Sequence, residues 1–414
     1  MSIYTDAQAI LQQALQACLP DQAVRRALEG RTFGTGRVVL VAIGKAAWQM
    51  ANSALPILGD RLSAGVVVTK HGHSRGDLPR CAIYEGGHPV PDEGAFRGTQ
   101  AALELVSDLN AQDTVVFLVS GGGSSLFECP RIPAEELQAL TQELLACGAD
   151  IVEMNTIRKR LSAVKGGRFA QRCAPARIYA VVLSDILGDP LDMIASGPAY
   201  PDQSTCEQAW KVVEKYHLIL SERARALLWE ETPKTLDNGE TVVTGSFRAS
   251  CNAAEAVSQA LGYVTVRLTD QLCCQAKEAG SFLASIARSH QDTTRSLAFL
   301  AGGETVVQLI GRGKGGRNQE LALAAAEGIA GLEDTLIFSL GSDGTDGPTD
   351  AAGGMVDGTT KARLEAAGLT IHQVLADNDS YHALKRVGGL ICTGPTGTNV
   401  NDVAVVLIRR DGGQ

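Results

Sequence analysis

Short unbroken runs of Val, Ile and Leu, each followed by glycine or by a helical pattern, set the rhythm of the first half of the chain. Residues 38–43 read as a buried strand, followed by Gly44, Lys45 and a helix over 46–58. Further strands are predicted over 65–69, 82–85, 114–119 and 178–183, with a helix over 94–109. A run with no polar alternation hides both faces of a strand, so this half predicts a parallel sheet covered by helices on both sides. The tract 230–240, with Thr232, Pro233, Asn238 and Gly239, is the best boundary. It divides the chain into domains 1–238 and 239–414. In the second domain, strands over 264–268, 297–301, 305–309 and 335–340 alternate with helices near 251–261, 275–290 and 319–329. Ala301-Gly302-Gly303-Glu304 reads as a tight hairpin between two of those strands, hence a mixed sheet. The last strand, 403–408, is open to pairing with either domain. The expected class is α/β.

At 414 residues, two domains are the natural expectation. A net charge of −9 argues against nonspecific binding to nucleic acid or to anionic lipid, which both need a basic face. The start of the chain shows no signal-peptide pattern, and no long uncharged apolar stretch occurs, so a cytoplasmic protein without membrane partners is expected. The 10 cysteines form no Cys-x-x-Cys pair, which points to reduced core thiols rather than a zinc site. Cys273 and Cys274 are adjacent and form the one candidate oxidisable pair.

In an open α/β sheet, ligands collect at the carboxyl ends of strands, so the loops there carry the candidate chemistry. Ser120-Gly121-Gly122-Gly123-Ser124-Ser125 follows the 114–119 strand and suits an anion held by backbone N–H groups; the bland alternative is a tight turn. Lys45 stands at a helix start, where a cation is disfavoured unless an anion joins it, so a phosphate or carboxylate clamp and a snorkelling surface lysine are both open readings. Asp185 and Asp189 follow the 178–183 strand and suit Mg²⁺ or a hydroxyl proton, or else turn formation and capping. Asn155, Arg158 and Ser162 share one helix face, with Lys165 and Arg168 nearby; a ligand-facing stripe and a solvated face are both open readings.

In the second half, Arg317, Asn318, Gln319 and Glu320 open a helix after a glycine-rich turn, and Asp343, Asp346 and Asp350 crowd one loop after the 335–340 strand. That loop is only superficially like a calcium loop, because Pro348 intrudes and the closing Glu is missing. The 394–402 turn is rich in hydroxyls and amides. His71, His73 and His88 follow early strands and can touch substrate, but no third ligand stands at metal spacing. A dinucleotide fingerprint is missing from the first strand–helix turn, since Gly34-Thr35-Gly36 precedes the strand.

Together these segments resemble the class II glycerate kinases, whose C-terminal part is the MOFRL domain. The resemblance is carried by Ala42 to Ala47, Gly87 to Asp92, Ser120 to Leu126, Asn155 to Arg158 and Lys165 to Arg168. Residues 184–198, Gly316 to Glu320, Gly341 to Gly347 and the 394–402 tract continue it. It implies a Rossmann-like N-terminal domain, a smaller α/β MOFRL domain and a cleft between them. It also implies phosphorylation of D-glycerate to 2-phosphoglycerate with ATP and Mg²⁺. Lys45, Asp185, Asp189 and Arg317 correspond to its proposed catalytic positions.

The resulting expectation has the Ser120–Ser125 loop, His88, Asn155, Arg158, Lys165, Asn318 and Glu320 binding substrate or phosphate. Asp185, Asp189, Asp343 and Asp346 are the candidate metal ligands, and the division of labour between Asp185 and Asp189 is open. The chain is expected to act as a monomer or homodimer. Two alternatives stand beside this reading. One is an NAD(P)H-dependent hydroxypyruvate reductase, a label that some relatives carry; the other is a sugar-acid binding protein without turnover.

Overall fold

A computed structural model describes residues 2–184, 190–244, 247–394, 396 and 400–410. The chain opens with helices α1 (Ile3–Cys18) and α2 (Pro20–Leu28). Two compact units follow from the contacts. One holds Ala23 to Ser184 and the described residues up to Thr244; the other holds the described residues before Ala23 and those after Thr244.

The first of these units is built on a six-stranded sheet of β1 (Val38–Ile43), β2 (Leu62–Lys70), β3 (Cys81–Gly86), β4 (Thr114–Val119), β5 (Arg177–Leu183) and β6 (Gly239–Thr244). Every pairing is parallel, and the order is β3-β2-β1-β4-β5-β6. That is the doubly wound Rossmann order, whose direction reverses between β1 and β4. All six residues of β1 and of β4 are buried, as the unbroken apolar runs require. Helices α3 (Ala47–Leu58), α4 (Glu93–Leu105), α5 (Gly123–Leu126), α6 (Ala134–Ala146), α7 (Ile151–Arg160), α8 (Arg168–Cys173), α9 (Cys206–Tyr216) and α10 (Glu222–Leu228) complete the unit. Several starts are written locally. Asp92 accepts from the Ala95 amide at 3.1 Å, and Asp150 with Glu153, like Thr205 with Gln208, closes a capping box.

The other unit has the sheet order β11-β10-β9-β12-β8-β7. Its strands are β7 (Val264–Leu272), β8 (Leu297–Gly303), β9 (Thr335–Gly341), β10 (Gly353–Asp357), β11 (Leu390–Ile391) and β12 (Asp402–Ile408). Only β7 and β8 pair in parallel; β12 runs antiparallel to both β8 and β9. The helices are α11 (Phe247–Ala260), α12 (Ala276–Ser289), α13 (Arg317–Gly328), α14 (Thr360–Ala366), α15 (Ile371–Ala376) and α16 (Ser380–Arg386). Helix α1 belongs here as well: Ile3, Ala7, Ile10 and Ala14 join one core with Phe338, Leu340 and Val405. Among the described residues, no helix is long and apolar enough to cross a membrane.

Three features differ from the sequence reading. A boundary at 238/239 would cut β6 from the sheet it completes, and α1 packs with the residues after Thr244 rather than with its sequence neighbours. Residues 305–309 form no strand, so no hairpin turns at Ala301 to Glu304. The run touches Gln275 in a single bridge, and the next residues are held by side chains: the Ile310 and Gly311 amides donate to Asn378 Oδ1, both at 2.9 Å, and the Arg312 amide to Asp377 at 3.0 Å. Leu309 is 80% exposed, so apolar content there does not signal burial. The sheet is mixed because β12, at its centre, runs antiparallel to β8 and β9, and β10 runs antiparallel to β9 and β11.

Candidate active site

The reversal between β1 and β4 is where two neighbouring loops part, and the predicted glycine-rich and lysine loops meet there. Ile43 and Val119 are in register, so Gly44 lies directly beside Ser120. A Cβ on Gly44 would come within 2.4 Å of the Ser120 carbonyl oxygen, which leaves room only for glycine. Ser120 stitches the two strand ends: its hydroxyl donates to the Ile43 carbonyl at 3.1 Å and accepts from the Ala46 amide at 3.1 Å. The Lys45 amide donates to the Gly121 carbonyl at 2.9 Å. Ser120 is thus a structural member of the loop, with its hydroxyl already engaged.

The loop itself stays open. Among the described residues, nothing accepts from the amide N–H groups of Gly121, Gly122 or Gly123, and no carboxylate pairs with the Lys45 ammonium. Gly122 is left-handed (φ 82°), and a Cβ there would meet His88 Cδ2 at 2.8 Å and Lys45 Cγ at 3.2 Å. Lys45, His88 and the glycine loop therefore lie against one another. Burial, helped by Lys45, Lys70 and His73, holds His88 below its ordinary pKa and keeps it neutral near pH 7. His73 Nδ1 approaches the Lys45 carbonyl at 3.0 Å, and the carbonyl oxygen makes that nitrogen the donor. His71 instead pairs with Asp92 at 2.7 Å.

Beyond the loop a polar relay begins. Ser196 donates to Asn155 Oδ1 at 2.9 Å, so in the 3.0 Å contact between Ser124 and Ser196 the Ser124 hydroxyl is the donor. Arg158 Nη2 donates to the Ser124 carbonyl at 3.1 Å. Ala195 and Ser196 are both left-handed without being glycine (φ 51° and 61°), and Ala195 packs so closely on Gly123 that a Cβ on Gly123 would come within 2.6 Å of the Ala195 Cβ. Asn155, Arg158 and Ser124 are thus joined, and they support the loop from behind. Lys165 is different. It is fully enclosed, 2.8 Å from an equally enclosed Glu128 and donating to the Phe127 carbonyl at 2.9 Å. Burial pushes its ammonium down to about 8, with Glu128 opposing. It is an internal strut; a substrate contact is not open to it.

In the other unit, the carboxyl ends of β8 and β9 and the start of β12 lie at one edge. Arg317, the first residue of α13, is gripped there by Asp402, with Nε to Oδ2 at 2.5 Å and Nη2 to Oδ1 at 3.0 Å, and Nη1 donates to Glu304 at 2.9 Å. Burial raises the Asp402 carboxyl to about 6 although Arg317 opposes the shift. Asp346 caps α13 from a distance, accepting from the Asn318 amide at 3.1 Å and the Gln319 amide at 2.8 Å, and from the Gln319 side chain at 3.0 Å. Asn318 accepts from the Ser339 hydroxyl at 2.6 Å, and Glu320 accepts from Asn378 at 3.1 Å. The predicted ligand contacts Asn318 and Glu320 therefore have internal partners.

The metal expectation fits only in part. Both Asp346 oxygens serve the start of α13, so this carboxylate does not fit a metal ligand. Asp343 accepts from the Thr345 amide through one oxygen. Among the described residues, no three His, Cys, Asp or Glu side chains form a metal-holding group. Asp185 and Asp189 lie outside the described residues. Sequence reasoning missed Glu128, Glu304 and Asp402 as partners of the basic residues; no spacing rule links positions so far apart in the chain.

A doubly wound sheet with an open amide loop and a lysine at its switch point defines an enzyme of the anion-handling α/β class. Comparison with known proteins narrows it. A domain of unknown function, DUF4147, matches residues 6–229, and the MOFRL family matches residues 297–402. D-glycerate 2-kinase of Thermotoga maritima is 52% identical over 405 residues, covering 96% of this chain and 97% of the relative. The crystal structure of a glycerate kinase from Thermotoga maritima superposes with a TM-score of 0.94 at 51% identity, covering 98% of this chain and 99% of that one. A protein of Agrobacterium vitis, provisionally named hydroxypyruvate reductase, is 39% identical over 90% of this chain and 87% of its own. The chain belongs to the MOFRL-containing glycerate 2-kinase family.

Proposed function

We propose that the chain transfers the γ-phosphoryl group of ATP, accompanied by Mg²⁺, to the 2-hydroxyl of D-glycerate. Glycerate phosphorylation follows from the family; the donor, the metal and the residue roles are our own reading. The observation that carries it is the set of amides at Gly121, Gly122 and Gly123 beside the Lys45 ammonium, none of which is claimed by a partner among the described residues. Phosphoryl transfer asks of a protein chiefly positioning and neutralisation of spreading negative charge, and fixed N–H donors with a lysine supply both.

In this reading the glycine loop receives an anionic group, Lys45 neutralises charge on it, and neutral His88 serves as a hydrogen-bond partner rather than a further cation. Arg317 is the second cation we assign to the reaction. Asp185 or Asp189 orients the substrate hydroxyl and accepts its proton. Those two aspartates, with Asp343, are the candidates for holding Mg²⁺, which supplies neutralisation of the phosphate oxygens when bound. The reductase alternative has no dinucleotide fingerprint at Gly44-Lys45-Ala46 to support it.

The test is ³¹P NMR of the product formed from D-glycerate, ATP and Mg²⁺, run with wild type and Lys45→Ala. The expected product is 2-phosphoglycerate, and the variant should lose about 100- to 1,000-fold in kcat, the scale of removing one transition-state donor. Formation of 3-phosphoglycerate would refute the regiochemistry. NADH oxidation by hydroxypyruvate with no phosphoryl transfer would replace the reading altogether.

A further inference from the structure

Arg317 is held by two carboxylates of unlike character. The Asp402 side chain is 8% exposed and meets the guanidinium with both oxygens, whereas Glu304 is 49% exposed and meets one nitrogen. A two-point fork fixes the position and the plane of the guanidinium. A single bond to a half-exposed carboxylate is weak and exchanges readily for another anion.

The fork also has firm footings. Asp402 opens β12 and is in register with Gly303 on one side and Gly341 on the other. Arg317 starts α13, whose first turn is tied down by Asp346. A cation at a helix start is opposed by the helix dipole, so the arginine needs an anion to stay in place. Three of its N–H groups are engaged, and a guanidinium has five, so the terminal nitrogens keep donors for a ligand.

We propose that the two carboxylates have separate jobs. Asp402 is a positioning residue that aims Arg317 at the transferring phosphoryl group, and Glu304 is a placeholder that the incoming anionic substrate displaces from Nη1. This rests on the kinase reading above.

Steady-state kinetics with glycerate and MgATP on the full chain test it. Asp402→Asn should lower kcat by about 100-fold, the effect of a misplaced catalytic group, with little change in KM. In an Arg317→Ala background the same change should cost less than about threefold, because the group it positions is gone. Equal losses in both backgrounds would show a merely structural role and overturn the proposal. Glu304→Gln should keep kcat and lower the KM of the anionic substrate by about three- to fivefold, matching one exposed ion pair. An unchanged or raised KM overturns the placeholder role.

Should Asp402→Asn fail to fold, Arg317→Lys decides instead. Lysine keeps the charge but cannot form the fork, so kcat should fall to the Arg317→Ala level, and near-normal turnover overturns the positioning role. A wild-type protein that leaves glycerate unphosphorylated would sink the function itself. The clamp alone fails when an active wild type has an equally active Asp402→Asn variant.

Discussion

Substituting Gly122 by alanine tests the glycine loop with a built-in control. At φ 82° alanine adopts a left-handed conformation, which costs about 1–2 kcal/mol. The new Cβ would also lie 2.8 Å from His88 Cδ2, 3.1 Å from its Nε2 and 3.2 Å from Lys45 Cγ. Comfortable carbon contacts begin near ~3.5 Å, so the imidazole must retreat by about 0.7 Å and the lysine stem by somewhat less. Both are side-chain ends that can move, so the fold survives while the constellation shifts. A displacement of that size in positioned groups costs up to ~100-fold in rate. Gly148 is the control: it has φ 76° and nothing within 4 Å of a built Cβ. Gly122→Ala and Gly148→Ala should therefore lose similar stability in urea titrations, since both carry the same backbone strain. Only the first should lose kcat/KM for glycerate, by about 10- to 100-fold. If the two variants turn over alike, the contact of Gly122 with Lys45 and His88 has no catalytic consequence and the assignment of the loop fails.

Removing either member of the enclosed Lys165–Glu128 pair strands the other, and Lys165→Met should cost about 3–5 kcal/mol in denaturant while glycerate KM holds. Pairing it with Glu128→Leu should recover most of the loss; a KM effect at unchanged stability would instead make Lys165 a ligand contact. His88 supplies a pH dependence. Its folded pKa lies below the unfolded value of ~6.5, so its contribution is complete above that pH and is lost as acidification protonates the unfolded chain first. Wild type should lose denaturant resistance between pH ~7 and ~5 more steeply than His88→Gln, and parallel curves would contradict the burial of the imidazole.

The parallel sheet was legible because β1, β4 and β5 are unbroken apolar runs, and a strand buried on both faces has no polar alternation to confuse. β6 was hidden: Gly239–Thr244 is only partly buried and follows turn-rich residues, so it resembled the edge of a linker. The 305–309 run misled for the opposite reason, being largely apolar yet exposed at Val306 and Leu309, with its Gln308 carbonyl accepting from the Asn378 side chain. At the site, the loops were readable from strand-end position, and Lys45, His88 and Gly122 do meet. What could not be read was the use of each polar group. Lys165 and Arg317 look alike in sequence as basic residues near glycines, and only their distant acids, Glu128 and Asp402, separate an internal strut from a displayed cation. Asp346 likewise looked like a metal ligand until the bare amides of α13 gave it another task.

The placement of β12 carries a consequence for how the chain is made. Synthesis delivers residues in order, and domains tend to mature as they emerge. The Ala23–Thr244 portion is complete, β6 included, well before the ribosome finishes. Its companion draws on segments from both sides of that portion, with α1 translated before it and the central strand β12 well after it. Helix α1 must therefore wait for partners that follow the Ala23–Thr244 portion, its apolar stripe of Ile3, Ala7, Ile10 and Ala14 uncovered until α11, with Cys251 and Ala254, has emerged. A nascent chain stalled before Asp402 should be the form that chaperones capture, and release should follow once β12 has emerged and paired with β8 and β9.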